Sequence, residues 1–217
     1  YNLKSGDSDS LLGGLEEETS TTYELGYRYL TQDLGLTLSV YRMNIDDAIV
    51  SANDDNGDSY RTNAGEVRHQ GIELELGYDI SDQWSMDLAA SRSEHKYIHY
   101  INSGTDYSGK HQKLGPEVKA AATLSWRAAS QPEPNLQLQV DHFGDYWMDD
   151  ANTQKANDYT VFHLKTQYAL QSNLKLFARI DNLTDKKYAT QAEISYGRSK
   201  FYPALPRTVK AGVQYQW

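Results

Sequence analysis

PRTVKAGVQYQW, residues 206–217, closes the chain, and its reading decides the fold. From Arg207 the residues alternate strictly. Val209, Ala211, Val213, Tyr215 and Trp217 fall on one face, and Thr208, Lys210, Gly212, Gln214 and Gln216 on the other. Side chains of a strand alternate across a sheet, so this is a strand with one apolar and one polar face. Its last residue is a large aromatic on the apolar face, with no polar tail behind it. Chain ends ordinarily fray into water. A Trp in that place asks for an apolar medium beside the sheet.

The same alternation recurs upstream. Nine strands are expected, at about 18–30, 34–45, 60–80, 84–100, 114–128, 136–146, 159–170, 174–183 and 207–217. GIELELGYDI (71–80) is the clearest: Ile72, Leu74, Leu76, Tyr78 and Ile80 alternate with Glu73, Glu75, Gly77 and Asp79. No segment of comparable length has a helical period. The connections alternate as well. TQD (31–33), SDQ (81–83), the ASQPEP region (129–134) and QSN (171–173) are short turns rich in Asp, Asn, Ser and Pro. The regions 46–59, 101–113, 147–158 and 184–206 are long. In an up-and-down sheet this puts every short turn at one end and every long loop at the other, the pattern of an outer-membrane barrel.

The aromatics agree. Tyr27, Tyr29, Tyr78, Trp84, Trp126, Tyr168, Tyr215 and Trp217 are on apolar faces beside the short turns. Wrapped on one cylinder they form an interfacial girdle, which explains the terminal Trp. The opposite faces carry Lys119, Arg127, Lys165, Lys175, Arg179 and Lys210, with Glu73, Glu75, Asp79, Asp87 and Asp181. A charged interior belongs to a wide, watered or plugged lumen, since small barrels fill their interior with side chains. The expected fold is therefore all-β: a transmembrane antiparallel up-and-down β-barrel. A soluble β-sandwich with scattered aromatics is the alternative.

Bulk composition narrows the function. The 217 residues have a net charge of −9, which excludes the basic footprint of a nucleic-acid surface. There is no Cys, hence no disulfide framework, thiol nucleophile or Cys-based zinc site. Mean hydropathy is −0.72 and no apolar run is long enough for a membrane helix, but a barrel needs only alternate residues apolar. Tyr outnumbers Phe by 17 to 4, as suits a boundary between oil and water.

EEETSTTYELGYRY near the start, GIELELGYDI after EVRHQ, LKLFARIDNLTDKKYA and the terminal PRTVKAGVQYQW together resemble the last third to half of a TonB-dependent outer-membrane receptor. The resemblance runs from about Glu16 onward. It implies a barrel of about 22 strands, closed by an N-terminal plug that carries the TonB-binding box. On that reading residues 1–217 are the C-terminal part of the barrel, and the plug and first strands are absent. Nine strands beginning on a descending one leave an odd number outside, and about thirteen complete the family's count. The terminal aromatic strand, with Tyr215 and Trp217, is also the expected signal for the barrel-assembly machinery.

No catalytic constellation is visible: there is no G-x-S-x-G elbow, and the chain is not expected to be an enzyme or to hold a cofactor or metal. His95 and His99 read as solvated loop histidines, with a loop metal site as the alternative. Asn182-Leu183-Thr184 matches a glycosylation sequon but reads as a strand-end turn. IDDAIVSANDDNGDS (45–59) holds five carboxylates without a Lys or Arg, and reads as a solvated acidic loop with the alternative of a weak divalent-cation site. Tyr97, Tyr100, Tyr146, Trp147 and Tyr196 stand at or beyond the outer strand ends. Loop aromatics there suit a flat or catecholate-like ligand. The resemblance implies TonB-energised uptake of a scarce ligand, a ferric siderophore, across the bacterial outer membrane, with outer-membrane lipid, the TonB complex and the assembly machinery as partners. An autotransporter or adhesin barrel, a porin and a soluble β-rich binding domain are the alternatives.

Overall fold

The computed structural model describes residues 15–53, 59–63, 65–102, 104–129 and 134–217. In chain order the strands are β1 (Thr19–Leu30), β2 (Leu34–Asp46), β3 (Ile49–Asn53), β4 (Ser59–Asn63), β5 (Glu66–Asp79), β6 (Trp84–His99), β7 (Ile101–Asn102), β8 (Thr105–Asp106), β9 (Val118–Arg127), β10 (Asn135–Phe143), β11 (Tyr146–Trp147), β12 (Lys155–Ala156), β13 (Tyr159–Gln171), β14 (Leu174–Asp181), β15 (Ala189–Ser195), β16 (Arg198–Pro203) and β17 (Thr208–Tyr215). Nine of them make one sheet in the order β1-β2-β5-β6-β9-β10-β13-β14-β17, every neighbour antiparallel. This is the expected up-and-down topology.

The register turns nine local alternations into two continuous faces. Directly opposed residues share a face. Leu25 faces Val40, Val40 faces Ile72, Leu38 faces Leu74, and Leu74 faces Ala90. Further round, Met86 faces Leu124, Leu124 faces Leu138, Leu138 faces Leu164, Leu164 faces Ile180, and Ile180 faces Val209. That face is apolar across the sheet and is read as the outer, lipid-contacting surface. On the other face Thr37 meets Glu75, Asp87 meets Thr123, Lys165 meets Arg179, and Arg179 meets Lys210. Trp84 and Trp126 sit opposite each other, 6.5 Å between ring centroids, at the short-turn end. One lumenal aromatic has its own mortise: a Cβ at Gly212 would collide with Cζ of Phe177, so only glycine lets that ring lie across β17.

Four expectations change. The region 60–80 is not one strand: Ser59–Asn63 pairs with Ile49–Asn53, and Gly65, at φ 91, breaks the chain before β5. Non-glycine residues resist that conformation. The fifth strand starts at Val118 rather than Leu114, after a Gly-Pro pair that cannot extend a ladder. His95 and His99 both lie within β6, the His95 ring 4.4 Å from His69, so they are strand residues and not loop ones. Trp217 lies two residues past the last strand, fully exposed, although Gln216 N–H still reaches the Asn173 carbonyl at 2.9 Å. The carboxylates Asp54, Asp55 and Asp58 of the acidic region lie outside the described residues.

Candidate functional site

Burial is concentrated at the long-loop end. Each long connection carries a small hairpin: β3-β4, β7-β8, β11-β12 and β15-β16. Ala48, Val67, Tyr97 and Tyr100 form one core there, with Ile45 and Tyr107 packed on it. Tyr146, Met148, Ala156 and Ala192 form a second, with Ile194. The hairpins are tied to one another. The Tyr97 hydroxyl donates to Asp150 Oδ1 at 2.9 Å, and Lys113 Nζ meets Asp150 Oδ2 at 2.9 Å. His111 N–H donates to Asn152 Oδ1 and Asn152 Nδ2 returns the bond to the His111 carbonyl, both at 2.8 Å. Ile194 N–H reaches the Met148 carbonyl at 3.0 Å, and Ala192 N–H donates to the Tyr146 hydroxyl oxygen at 2.7 Å. The loops after β6, β10 and β14 thus form one linked collar.

The collar accounts for the expected aromatics in different ways. Tyr97 and Tyr100 are buried, rings 4.4 Å apart, and Tyr100 also packs on Tyr107 at 5.4 Å. Tyr146 is buried beneath β15. Trp147 is half-buried with Lys155 Nζ 5.0 Å over its ring. Tyr196 stands fully exposed at the tip of the β15-β16 hairpin, at φ 50. Three of the five therefore build the collar, and two present ring surface to the outside.

Below the collar, on the lumenal face, lies a group the sequence reading did not pick. Phe143 ends β10, Tyr159 begins β13, and Tyr188 follows β14. Their rings stack in series, 5.1 Å from Phe143 to Tyr159 and 4.4 Å from Tyr159 to Tyr188. A cleft of ≈ 270 Å³ opens on one side of the stack, lined by Tyr146, Tyr159, Tyr188, Lys186, Lys187 and Phe201 among others. A second of ≈ 250 Å³, with Lys119, Phe143 and Gln191, opens on the other. Burial, then the nearby Asp141 and Asp181 carboxylates, push the Tyr188 phenol up from its ordinary value. The signal was present: Phe143 and Tyr159 are aromatics at polar-face positions of their strands. Among the described residues no group of His, Asp and Glu is arranged to hold a metal ion.

The base of the last loop explains the DNLTDKKY stretch. Asn182 is buried at φ 54; its Nδ2 donates to the Lys186 carbonyl at 2.9 Å and its Oδ1 accepts from Lys186 N–H at 2.8 Å. Asp185 Oδ1 takes Arg207 N–H at 2.8 Å. The sequon asparagine is therefore the clamp of a strand-end turn, and its amide nitrogen is engaged.

An antiparallel up-and-down sheet with one apolar and one charged face, short turns at one end and a linked aromatic collar at the other, agrees with one family model. The description "TonB dependent receptor-like, beta-barrel" matches residues 2–183. The chain belongs to this family. Its members are transport receptors of the bacterial outer membrane. The match stops at Leu183; beyond it β17 pairs with β14 in the nine-stranded sheet, and β15 and β16 pair with each other. The ferrioxamine receptor of Yersinia enterocolitica is 30% identical over 211 residues, covering 94% of this chain and 28% of that protein. The vitamin B12 transporter BtuB of Photobacterium profundum is 26% identical, covering 89% and 31%. The ferric yersiniabactin uptake receptor FyuA from Yersinia pestis superposes with a TM-score of 0.77 at 21% identity, over 91% of this chain and 30% of that one. The chain spans under a third of the length of each of these relatives.

Proposed function

We propose that this TonB-dependent receptor barrel takes up a ferric siderophore, with energy relayed by TonB. The carrying observation is the stack Phe143–Tyr159–Tyr188 on the lumenal face beneath the collar. Three rings in series build an aromatic wall between two clefts, and Lys119, Lys186 and Lys187 line those clefts. That combination suits an anionic complex bearing planar chelating groups. Trp147 and Tyr196 are the collar aromatics open to first contact; Tyr97, Tyr100 and Tyr146 hold the collar in shape. On this reading the nine-stranded sheet is the C-terminal part of a barrel of about 22 strands. Its plug, TonB box and first strands then belong to a longer parent protein, and Tyr215 and Trp217 serve its assembly.

The test uses a strain lacking the parent protein, complemented with the full-length receptor, grown under iron limitation on a panel of siderophores with and without TonB. The expected result is TonB-dependent growth on at least one siderophore. Tyr159→Ala with Tyr188→Ala should weaken its uptake roughly 10–30-fold, two aromatic contacts at about 1 kcal/mol each. The 26% identity to a vitamin B12 transporter makes cobalamin the second arm. Normal growth on every siderophore with a defect on cobalamin alone would keep the transporter and replace its ligand. TonB-independent leakage of small solutes would replace the receptor with a porin.

A further inference from the structure

The lumenal face is divided by charge. On β1, β2, β5 and β6 it carries Glu24, Glu73, Glu75, Asp79 and Asp87, with Arg28 as its one Lys or Arg. On β13, β14 and β17 it carries Lys165, Lys175, Arg179 and Lys210, and Asp181 is the one carboxylate in those three strands. The register lines these cations up. Lys165 faces Arg179, and Arg179 faces Lys210. Like charges directly opposed on a sheet repel, so this row is destabilising unless an anion lies on it. The chain has a net charge of −9, so the row does not reflect a basic composition.

The strands themselves hold too little negative charge to match the row. Asp181 is shared by Arg179 Nε at 2.5 Å, His163 Nδ1 at 3.0 Å and Lys210 Nζ at 3.9 Å. Lys165 Nζ donates to a neutral acceptor, Gln139 Oε1, at 2.9 Å. Among the described residues Lys165 and Lys175 form no ion pair. Phe177 lies within this group. It comes between Lys175 and Arg179 on its own strand, and it faces Gly212, which Lys210 and Gln214 flank. The missing Cβ of Gly212 lets the ring lie across β17, yet the side chain remains 46% exposed. An apolar ring is thus laid open on a charged wall.

Its place separates it from the stack beneath the collar. Phe177 faces Gln167, which is eight residues along β13 from Tyr159, about 26 Å of strand toward the short turns. An open ring among unmatched cations fits a planar group that carries negative charge. We infer that Phe177, with Lys175, Arg179 and Lys210, forms a second contact site for the anionic ferric complex, on the wall it passes toward the short-turn end of the lumen. The inference rests on the uptake reading for its cargo, and on the sheet alone for its preference for anions.

The experiment has two arms, both on the full-length parent in cells with and without TonB. The first needs no cargo. Phe177→Cys is reacted with two methanethiosulfonates, one bearing a sulfonate and one a quaternary ammonium, each rate being scaled to that of free cysteine. The sulfonate reagent should react at least about tenfold faster, and adding Arg179→Gln with Lys210→Gln should bring the ratio close to one. Equal scaled rates, or no reaction with either reagent, would overturn the inference. The second arm follows an anionic ferric tris-catecholate carrying radiolabelled iron. Phe177→Ala should lower its maximal import rate roughly fivefold, the size of one aromatic contact, and leave surface binding in cells without TonB unchanged. Phe177→Tyr, which keeps the ring, should restore import, and Arg28→Gln on the acidic side should not alter it. Heat-modifiable mobility confirms that each variant is a folded barrel. Unchanged import in Phe177→Ala, or surface binding lost in step with import, would overturn the inference. A TonB-independent leak of small solutes in Arg179→Gln with Lys210→Gln would also overturn it, since the cations would then hold the plug. If the unaltered receptor imports no ferric siderophore, the uptake reading fails, and the ratio of thiol rates decides the wall by itself.

Discussion

The nine-stranded sheet and the collar above it are built on opposite principles. In the sheet, large apolar side chains remain uncovered by protein: Leu25, Val40, Ile72, Leu176, Val209 and Val213 are all exposed. Its order comes from the backbone ladder, and its apolar face is left uncovered by the chain itself. In the collar, Met148 is 1% exposed and Tyr100 2%, and the hairpins are joined by side-chain hydrogen bonds across gaps of 37 to 53 residues. The sheet has a solvent-matched surface and almost no core of its own; the collar has two small cores and needs no lipid. One chain therefore meets two media, and its stability is divided between them.

The sharpest way to break the comparison is a charge at mid-height of the sheet. Leu124 lies in the middle of β9, on the apolar face between Met86 and Leu138. Leu124→Arg should destabilise the parent barrel by roughly 2–4 kcal/mol in lipid vesicles, as for other lipid-facing charges near the midplane. Thr123→Arg, its neighbour on the lumenal face opposite Asp87, should cost much less. Urea titration of vesicle-inserted protein reads the difference. Equal costs would mean that both faces are packed cores and that the outward assignment is wrong.

The collar answers to packing instead. Met148 fills the second collar core against Tyr146, Ala156 and Ala192. Met148→Ala should cost about 2 kcal/mol, the low end for a buried truncation, because a core of few residues collapses readily. Proteolysis within 144–158 and 189–203 should accelerate, while the barrel keeps its heat-modifiable mobility. A collapse of the whole barrel would show that the sheet depends on the collar.

This division also explains what was legible in the sequence. The strands were readable because period-2 alternation is a local property, and each strand declares its own two faces. GIELELGYDI needs no partner to be recognised as a strand. The collar was not readable, because its order lies in distant pairs. Nothing near Tyr97 announces Asp150, and nothing near Tyr146 announces the backbone of Ala192. Aromatics at or beyond the outer strand ends were therefore expected to face a ligand when three of them face each other and the loops. The stack at Tyr159 was missed for the converse reason: an aromatic at a polar-face position looks like an interruption of the pattern until Phe143 and Tyr188 are seen on either side. Gly65 hid the β3-β4 hairpin, since a single left-handed residue breaks what the alternation carries through.

The smallest expected effect tests whether the two regions are energetically separate. Tyr97 belongs to both: its backbone is in β6 and its hydroxyl crosses to Asp150 in the collar. Tyr97→Phe keeps the ring on Tyr100 and deletes one hydrogen bond. Asp150 retains Lys113 Nζ at 2.9 Å, so no buried carboxylate is left unpaired, and the cost should be about 1 kcal/mol. Amide hydrogen exchange on the folded parent can locate that loss. If the collar opens as its own unit, protection should fall at 147–154 and at 107–114, where Asp150, Asn152 and His111 are linked, and remain unchanged in β9 and β10. Equal loss of protection through β9 and β10 would join sheet and collar into one cooperative unit. The contrast would then concern only the medium each region faces.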